Sequence, residues 1–268
     1  MSEVELTSPR PGVRTITLNR PDRLNAMNSA LVEQLHEALD DVAADPEARV
    51  VILTGAGRGF CAGLDLGGYG EPPLVGRPGR VQTSFTVQKH IATLMPHLRS
   101  LPQPVIAAVN GAAAGGGFAL VLGSDIRIAS RQAKFNAAFV RIGLSACDIG
   151  TSWVLPRLVG ASRAQELMLT GRVFDADEAA RIGLVVELAD DPEALLELAL
   201  QKAELVMANA PFGIALTKEG MWAALEIPAM QSAIDYENRQ QIMASFTNDH
   251  REAMTAFLEK RPPEFHND

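Results

Sequence analysis

The sequence predicts an α/β fold with helices appended at its C-terminal end. Two observations carry this. Short apolar runs bounded by turn residues recur at 13–18, 50–54, 105–109, 125–129 and 184–188, with helical periodicity between them. From Pro192 onward the helical pattern runs almost unbroken. Apolar residues fill 47 % of the 268 positions, enough for a large core and too many for a disordered chain.

The elements follow in order. After the run at 13–18, Leu31, Leu35, Leu39 and Val42 fall on one face of a helix, with Asn28 placed to cap its start. The runs at 50–54 and 105–109 are near-continuously apolar, as expected of strands buried on both faces. Between them, the Gly/Pro-rich segment 67–80 reads as a long loop. A helix follows it, in which His90 sits among Val87, Ile91 and Leu94, the setting of a half-buried core or surface histidine. Asp148 precedes the helical stretch 149–155. Asp175 and Glu178 are spaced as a capping box for a short helix that stops at Gly183.

Several function classes are excluded or disfavoured. The net charge of −8, from 32 acids against 24 bases, disfavours nucleic-acid binding. No apolar run approaches the roughly 20 residues of a membrane helix. The start lacks a basic region and an apolar core, so no secretory signal is expected and the cytoplasm is the expected location. Cys61 and Cys147 make no disulfide framework, and with no base adjacent in sequence they read as small apolar fillers. The histidines (36, 90, 97, 250, 266) show no metal-ligand spacing, so no metal is expected. P-loop, dinucleotide-binding and nucleophile-elbow patterns are absent.

Glycine is concentrated in two places. Val51–Thr54 leads into Gly55-Ala-Gly-Arg-Gly-Phe60-Cys-Ala-Gly63-Leu64, and Val105–Val109 leads into Asn110-Gly111-Ala-Ala-Ala-Gly115-Gly116-Gly117. Each reads as a buried strand, a glycine-rich turn and a helix start. Glycines admit close backbone approach, and a helix start presents unpaired N–H groups. Two such donors aimed at one point would form an oxyanion hole; the alternative is tight helix–sheet packing.

These motifs, with Leu18-Asn-Arg-Pro-Asp-Arg-Leu-Asn-Ala-Met27 and the segments 60–66, 104–118, 124–128, 155–160, 166–171, 179–185 and 256–263, resemble the enoyl-CoA hydratase/isomerase (crotonase) superfamily over nearly the whole chain. The resemblance implies a spiral of ββα units over residues 1–190. It implies a helical region over 191–268 that serves oligomerisation and completes the CoA site. It also implies an oxyanion hole made by the N–H groups of Leu64 and Gly116, holding the thioester carbonyl of an acyl-CoA. Arg23, Leu24, Ala26 and Ala62 would line the CoA site. Phe257 and Lys260 would reach the CoA adenine and phosphate across a subunit boundary, in a homotrimer or dimer of trimers. Coenzyme A would be part of the substrate, with no separate cofactor.

The sequence departs from the family pattern at the chemistry. The two glutamates with which hydratases position water are replaced by Ala119 and Phe139, neither of which handles a proton. Asp148 stands near the position of the catalytic aspartate in dienoyl-CoA isomerases of the family, and is also the right residue type for a helix cap. Isomerisation of a double bond, or hydrolysis of a β-dicarbonyl acyl-CoA, then fits one carboxylate better than standard hydration does. A catalytically silent acyl-CoA-binding homologue is the alternative of a different class. Glu237 could reach the acyl pocket or pair with Arg239 or Arg141. Phe118, Phe139, Trp153 and the 67–80 loop are candidates to shape that pocket.

Overall fold

The computed structural model describes residues 2–70 and 79–268; the middle of the 67–80 loop, 71–78, lies outside the described residues. The chain opens with β1 (Val4–Arg10) and β2 (Val13–Leu18), an antiparallel pair turned at Gly12. Next comes α1 (Ser29–Ala44), where the Asn28 side chain accepts from the Leu31 N–H at 2.8 Å, the cap expected from sequence.

Three ββα turns follow. The first is β3 (Val50–Gly55), β4 (Gly59–Cys61), α2 (Arg80–Ala92) and α3 (Leu94–Ser100). The second is β5 (Val105–Val109), β6 (Ala112–Ala114) and α4 (Gly116–Gly123). The third is β7 (Ile126–Ser130) and β8 (Lys134–Asn136), continued by α5 (Thr151–Val159), α6 (Ala161–Thr170), the two-residue β9 (Phe174–Asp175) and α7 (Ala176–Arg181). β10 (Glu187–Ala189) closes the sheet, and α8 (Pro192–Met207), α9 (Pro211–Ala224), α10 (Met230–Ser245) and α11 (Asn248–Glu259) complete the chain.

Each unit sends its first strand to one sheet and its second to another. β3, β5 and β7 are parallel neighbours in a six-stranded sheet of order β1-β2-β3-β5-β7-β10, with Val51 beside Val105 and Ile106 beside Ile126. β4, β6 and β8 are parallel neighbours in a four-stranded sheet that ends at β9, with Ala113 beside Phe135. This is the spiral that the resemblance implied. The cores lie on both faces of the larger sheet. One face carries Leu53, Val109 and the Phe60–Phe118–Phe135 group; the other buries Ile52, Ile106 and Ile128 under Leu195, Ala199 and Ala203 of α8. Burial on both faces is why these strands read as continuous apolar runs.

Three sequence expectations need correction here. The run at 184–188 is a strand only from Glu187, because Leu184 and Val185 donate their N–H groups to the Ala179 carbonyl and close α7 instead. The capping box is half formed. Asp175 accepts from the Glu178 N–H at 2.9 Å, but the Glu178 carboxylate is engaged by Arg172, which also grips Glu166. A bidentate charge-assisted pair outcompetes a neutral backbone donor. Cys147 is exposed and fills no core space, unlike the buried Cys61, whose thiol desolvation pushes up to about 12. Among the described residues, no helix is long and apolar enough to cross a membrane.

Candidate active site

The first glycine turn is built by two asparagines. Asn25, fully buried with φ +56°, donates from Nδ2 to the carbonyls of Ala56 and Gly59 and accepts from the Arg20 N–H at 2.8 Å. From the other side, Asn110 Nδ2 donates to the Gly55 and Gly57 carbonyls at 2.8 and 2.9 Å. Gly55 to Gly59 are therefore structural. Further on, the chain pairs with residues 24–27.

That pairing decides where the Leu64 amide points. Ala62 N–H donates to the Leu24 carbonyl, Met27 N–H to the Gly63 carbonyl, and Asp65 N–H to the Met27 carbonyl, each between 2.7 and 2.9 Å. Leu64 bridges Met27 in parallel register. Strand alternation turns its own N–H away from that partner, and it finds no acceptor among the described residues. The helix start expected at this turn is not there: the N–H is freed by alternation at a strand edge, and among the described residues no helix begins between β4 and Arg80.

The second turn does start a helix. Gly115, φ +51°, donates its N–H to the Asn136 carbonyl at 3.1 Å, and Gly116 is the first residue of α4. The Gly116 N–H therefore has no intrahelical acceptor and sits at the positive end of the helix dipole. The two turns touch at Gly63. A Cβ there would lie 2.7 Å from the Ala114 carbonyl oxygen and 3.3 Å from the Gly116 nitrogen, and φ is +88°. Only glycine fits, and its absence of a side chain brings the freed amide of Leu64 beside that of Gly116.

The walls of this spot are apolar. Ala119, three residues into the fully buried α4, has no polar side-chain atom. Phe139 is buried with its ring edge beside Gly115. The Met27 methyl and Ile149 Cδ1 crowd the Cα of Gly116. Ile149 has φ +44°, a left-handed conformation that a β-branched residue adopts only under constraint.

Asp148 precedes this strained residue, and it is not a helix cap. Gly150 occupies the cap of α5, without a side-chain bond, while Asp148 Oδ1 accepts from its neighbour Ile149 N–H at 2.8 Å and from Gln88 Nε2 at 2.6 Å. Desolvation raises its carboxyl above the usual range, against the lowering effect of the Ile149 and Gln88 donors.

The other predicted residues divide. Leu24, Ala26 and Ala62 are brought together by the pairing just described, and Arg23 is exposed at the end of a helical turn, Pro21–Arg23, on the same segment. Phe257 and Lys260 lie on and just after α11, exposed; within one chain no hydrogen bond or ion pair joins them to residues 23–26 among the described residues. Phe118 packs edge-on against Phe135 and Phe174 in the core. Trp153 is stacked by the guanidinium groups of Arg99 and Arg157. Glu237 lines a groove between α9 and α10 and makes no ion pair with Arg239 or Arg141 among the described residues. His90 is half-buried, as expected, but in a cluster: its ring centroid lies 4.8 Å from that of His36, and the His36 ring lies 5.2 Å from that of His97. Gln88 and Ile149 were missed. A surface glutamine on an amphipathic helix carries no sequence signal, and a left-handed isoleucine has none either.

The fold is a parallel ββα spiral in which the glycine turns that carry Leu64 and Gly116 meet at Gly63. The comparisons agree. The sequence profile described as enoyl-CoA hydratase/isomerase matches residues 9–268. The chain is 42 % identical over 265 residues to the 1,2-epoxyphenylacetyl-CoA isomerase of Escherichia coli, covering 99 % of each. It is 35 % identical over 254 residues to the (E)-benzylidenesuccinyl-CoA hydratase of Thauera aromatica, covering 94 % of this chain and 95 % of that one. The crystal structure of an enoyl-CoA hydratase from Bacillus anthracis superposes with a TM-score of 0.91 at 35 % identity, over 99 % of this chain and all of that one. This chain belongs to the enoyl-CoA hydratase/isomerase family and is an acyl-CoA enzyme, a lyase or isomerase.

Proposed function

We propose that this enzyme shifts a carbon–carbon double bond in an acyl-CoA thioester, using Asp148 as a single proton carrier. The thioester carbonyl sits between the N–H groups of Leu64 and Gly116, which stabilise the negative charge that develops on its oxygen. The Asp148 carboxylate removes a proton from the α-carbon of a β,γ-unsaturated acyl chain. The electron pair delocalises onto the carbonyl oxygen as a dienolate. The same carboxyl group returns the proton at the γ-carbon, leaving the α,β-unsaturated thioester. No water enters and nothing is oxidised. The observation that carries this reading is the combination of side chains without proton-handling groups at Ala119 and Phe139, the latter beside Gly115, with a partly desolvated carboxylate next to Ile149, whose Cδ1 lies where a side chain on Gly116 would be. Addition of water needs a second proton-handling group that neither position supplies.

CoA recognition would use Arg23, Leu24, Ala26 and Ala62 from one chain, with Phe257 and Lys260 contributed by a neighbouring copy. Support for assembly comes from the apolar side chains that α9–α11 leave exposed, including Met221, Met230, Phe246 and Phe257. A trimer or dimer of trimers would cover them.

The test compares β,γ-hexenoyl-CoA isomerisation, followed by absorbance of the conjugated thioester, with crotonyl-CoA hydration. Isomerisation should exceed hydration, and Asp148→Asn should abolish it while leaving CoA-ester binding intact. Unchanged turnover in Asp148→Asn would overturn the assignment. The replacement of both hydratase glutamates also favours a silent acyl-CoA-binding homologue; binding without turnover across a panel of acyl-CoA esters would establish that second reading.

A further inference from the structure

Asp148 is held from two directions, and both donors reach the same oxygen. The Ile149 N–H and the Gln88 side-chain amide converge on Oδ1, at 2.8 and 2.6 Å, and Oδ2 receives no donor among the described residues. The Ile149 bond is local and comes at the expense of a left-handed backbone. The Gln88 bond is tertiary: it runs from α2 to the loop before α5, across 60 positions of sequence. No other polar contact is recorded for the Gln88 side chain among the described residues, so its amide serves this carboxylate alone. On α2, Phe85 and Val81 are exposed apolar residues one and two turns before Gln88, on the same side of the helix and lining one shallow depression with it.

We propose that Gln88 is the positioning residue of the proton carrier: it clamps Oδ1 of Asp148 so that Oδ2 alone faces the acyl chain and moves the proton. The inference rests on the reading of Asp148 as that carrier. A carboxylate with one oxygen saturated by donors exchanges its proton through the other, so the clamp selects which oxygen works and in what orientation. It also sets the carboxyl's affinity for the proton, because a donor to the ionised form favours ionisation. Since Val81 and Phe85 ride on the same helix, an acyl chain lying against α2 would press on the element that carries the clamp, joining substrate contact to carboxylate orientation.

The experiment is the pH dependence of kcat/KM for β,γ-hexenoyl-CoA in the intact protein, for Gln88→Met, Gln88→Glu and Asp148→Asn. Gln88 is exposed, so both of its variants are expected to fold. Gln88→Met removes the donor at nearly constant volume. Its kcat should fall by roughly ten- to a hundredfold, the cost of a misplaced catalytic group, and the acid limb should move to higher pH. Gln88→Glu places a second carboxyl against the first and should move that limb further up. A uniform loss at every pH, or no change, would overturn the positioning role. If Asp148→Asn abolishes turnover while Gln88→Met leaves the acid limb in place, the Gln88 inference alone fails. If Asp148→Asn retains both turnover and the acid limb, the proton-carrier reading fails and the clamp with it.

Discussion

The Met27 methyl occupies the space that a side chain on Gly116 would need. The contact ties the segment that pairs with Leu64 to the helix start that frees the second amide. It explains the glycine without appeal to φ, and it separates Gly116 from Gly117, whose added Cβ would run into the Cys61 carbonyl oxygen and lie 2.6 Å from Cys61 Cβ. The obstacle at Gly116 is the flexible end of a side chain, while at Gly117 it is backbone. Gly116→Ala should therefore cost about 1–3 kcal/mol of stability, and Met27→Ala in the same chain should recover a good part of it. Gly117→Ala should cost more and should not be rescued by Cys61→Ala. Urea denaturation of the single and double variants checks this; equal rescue at both sites would contradict it.

Asn25 is the pin of the first turn. Its amide donates to two carbonyls and its oxygen takes the Arg20 N–H, in a left-handed conformation that asparagine tolerates better than most residues. Asn25→Asp keeps the shape but turns two donors into acceptors facing buried carbonyls. The Ala56 carbonyl is orphaned at about 1–3 kcal/mol, while the Gly59 carbonyl keeps Asn110 Nδ2 at 3.3 Å, so the melting temperature should fall, and CoA-ester affinity should fall with it because Leu24 and Ala26 flank the pin. A variant as stable as the parent would show that the turn stands without it.

Lys260 caps α11 in a left-handed conformation, φ +55°, exposed and with no carboxylate partner among the described residues. Lys260→Asn suits that backbone and removes the charge together with most of the stem that carries it. If Lys260 of one copy meets a CoA phosphate on another, affinity should weaken by a few fold, as expected of an exposed ion pair. The difference should grow at low ionic strength, where screening is least. Calorimetric titration at two salt concentrations measures both, and a loss independent of salt would rule out the contact.

His36 supplies a pH dependence of stability. Burial lowers its pKa, opposed by its bond to the His90 carbonyl and assisted by the nearby His90 and His97 rings; Glu33 pulls the other way. Its Nδ1 lies 2.9 Å from His97 Nδ1, an arrangement that needs one of the two nitrogens unprotonated. His90 and His97 in turn lie 3.1 and 3.2 Å from carboxylate oxygens of Glu33 and Asp40. A histidine whose folded pKa is depressed is neutral in the fold while the unfolded chain takes up a proton, so stability falls as pH drops below about 6.5. His36→Asn should lose less melting temperature than the parent between pH 7.5 and pH 5.5. Parallel losses would mean that the cluster does not titrate in this range.

Much of the fold was legible because burial on both faces writes itself into sequence as unbroken apolar runs, as at 50–54 and 105–109. The Asn28 cap was legible because it is satisfied within four residues. The 184–188 run misled because Leu184 and Val185 are as buried as strand residues, while their N–H groups close a helix. The site was half legible. Glycine spacing marked the two turns, since close backbone approach leaves only one residue type available, and the family resemblance pointed within them to Leu64 and Gly116. The absence of glutamate at positions 119 and 139 was visible in the letters alone.

What the sequence determined by itself is local: the buried strands, the capped helices, the glycine turns and the side chains without proton-handling groups at 119 and 139. What only the tertiary structure decided is every relation between distant segments. Alternation against Met27 turns the Leu64 amide outward, Gln88 reaches across to Asp148, and the strain at Ile149 presses its side chain on Gly116. These depend on where two stretches of backbone meet in three dimensions. A hydrogen bond between side chains 60 positions apart leaves no periodicity in the chain that makes it.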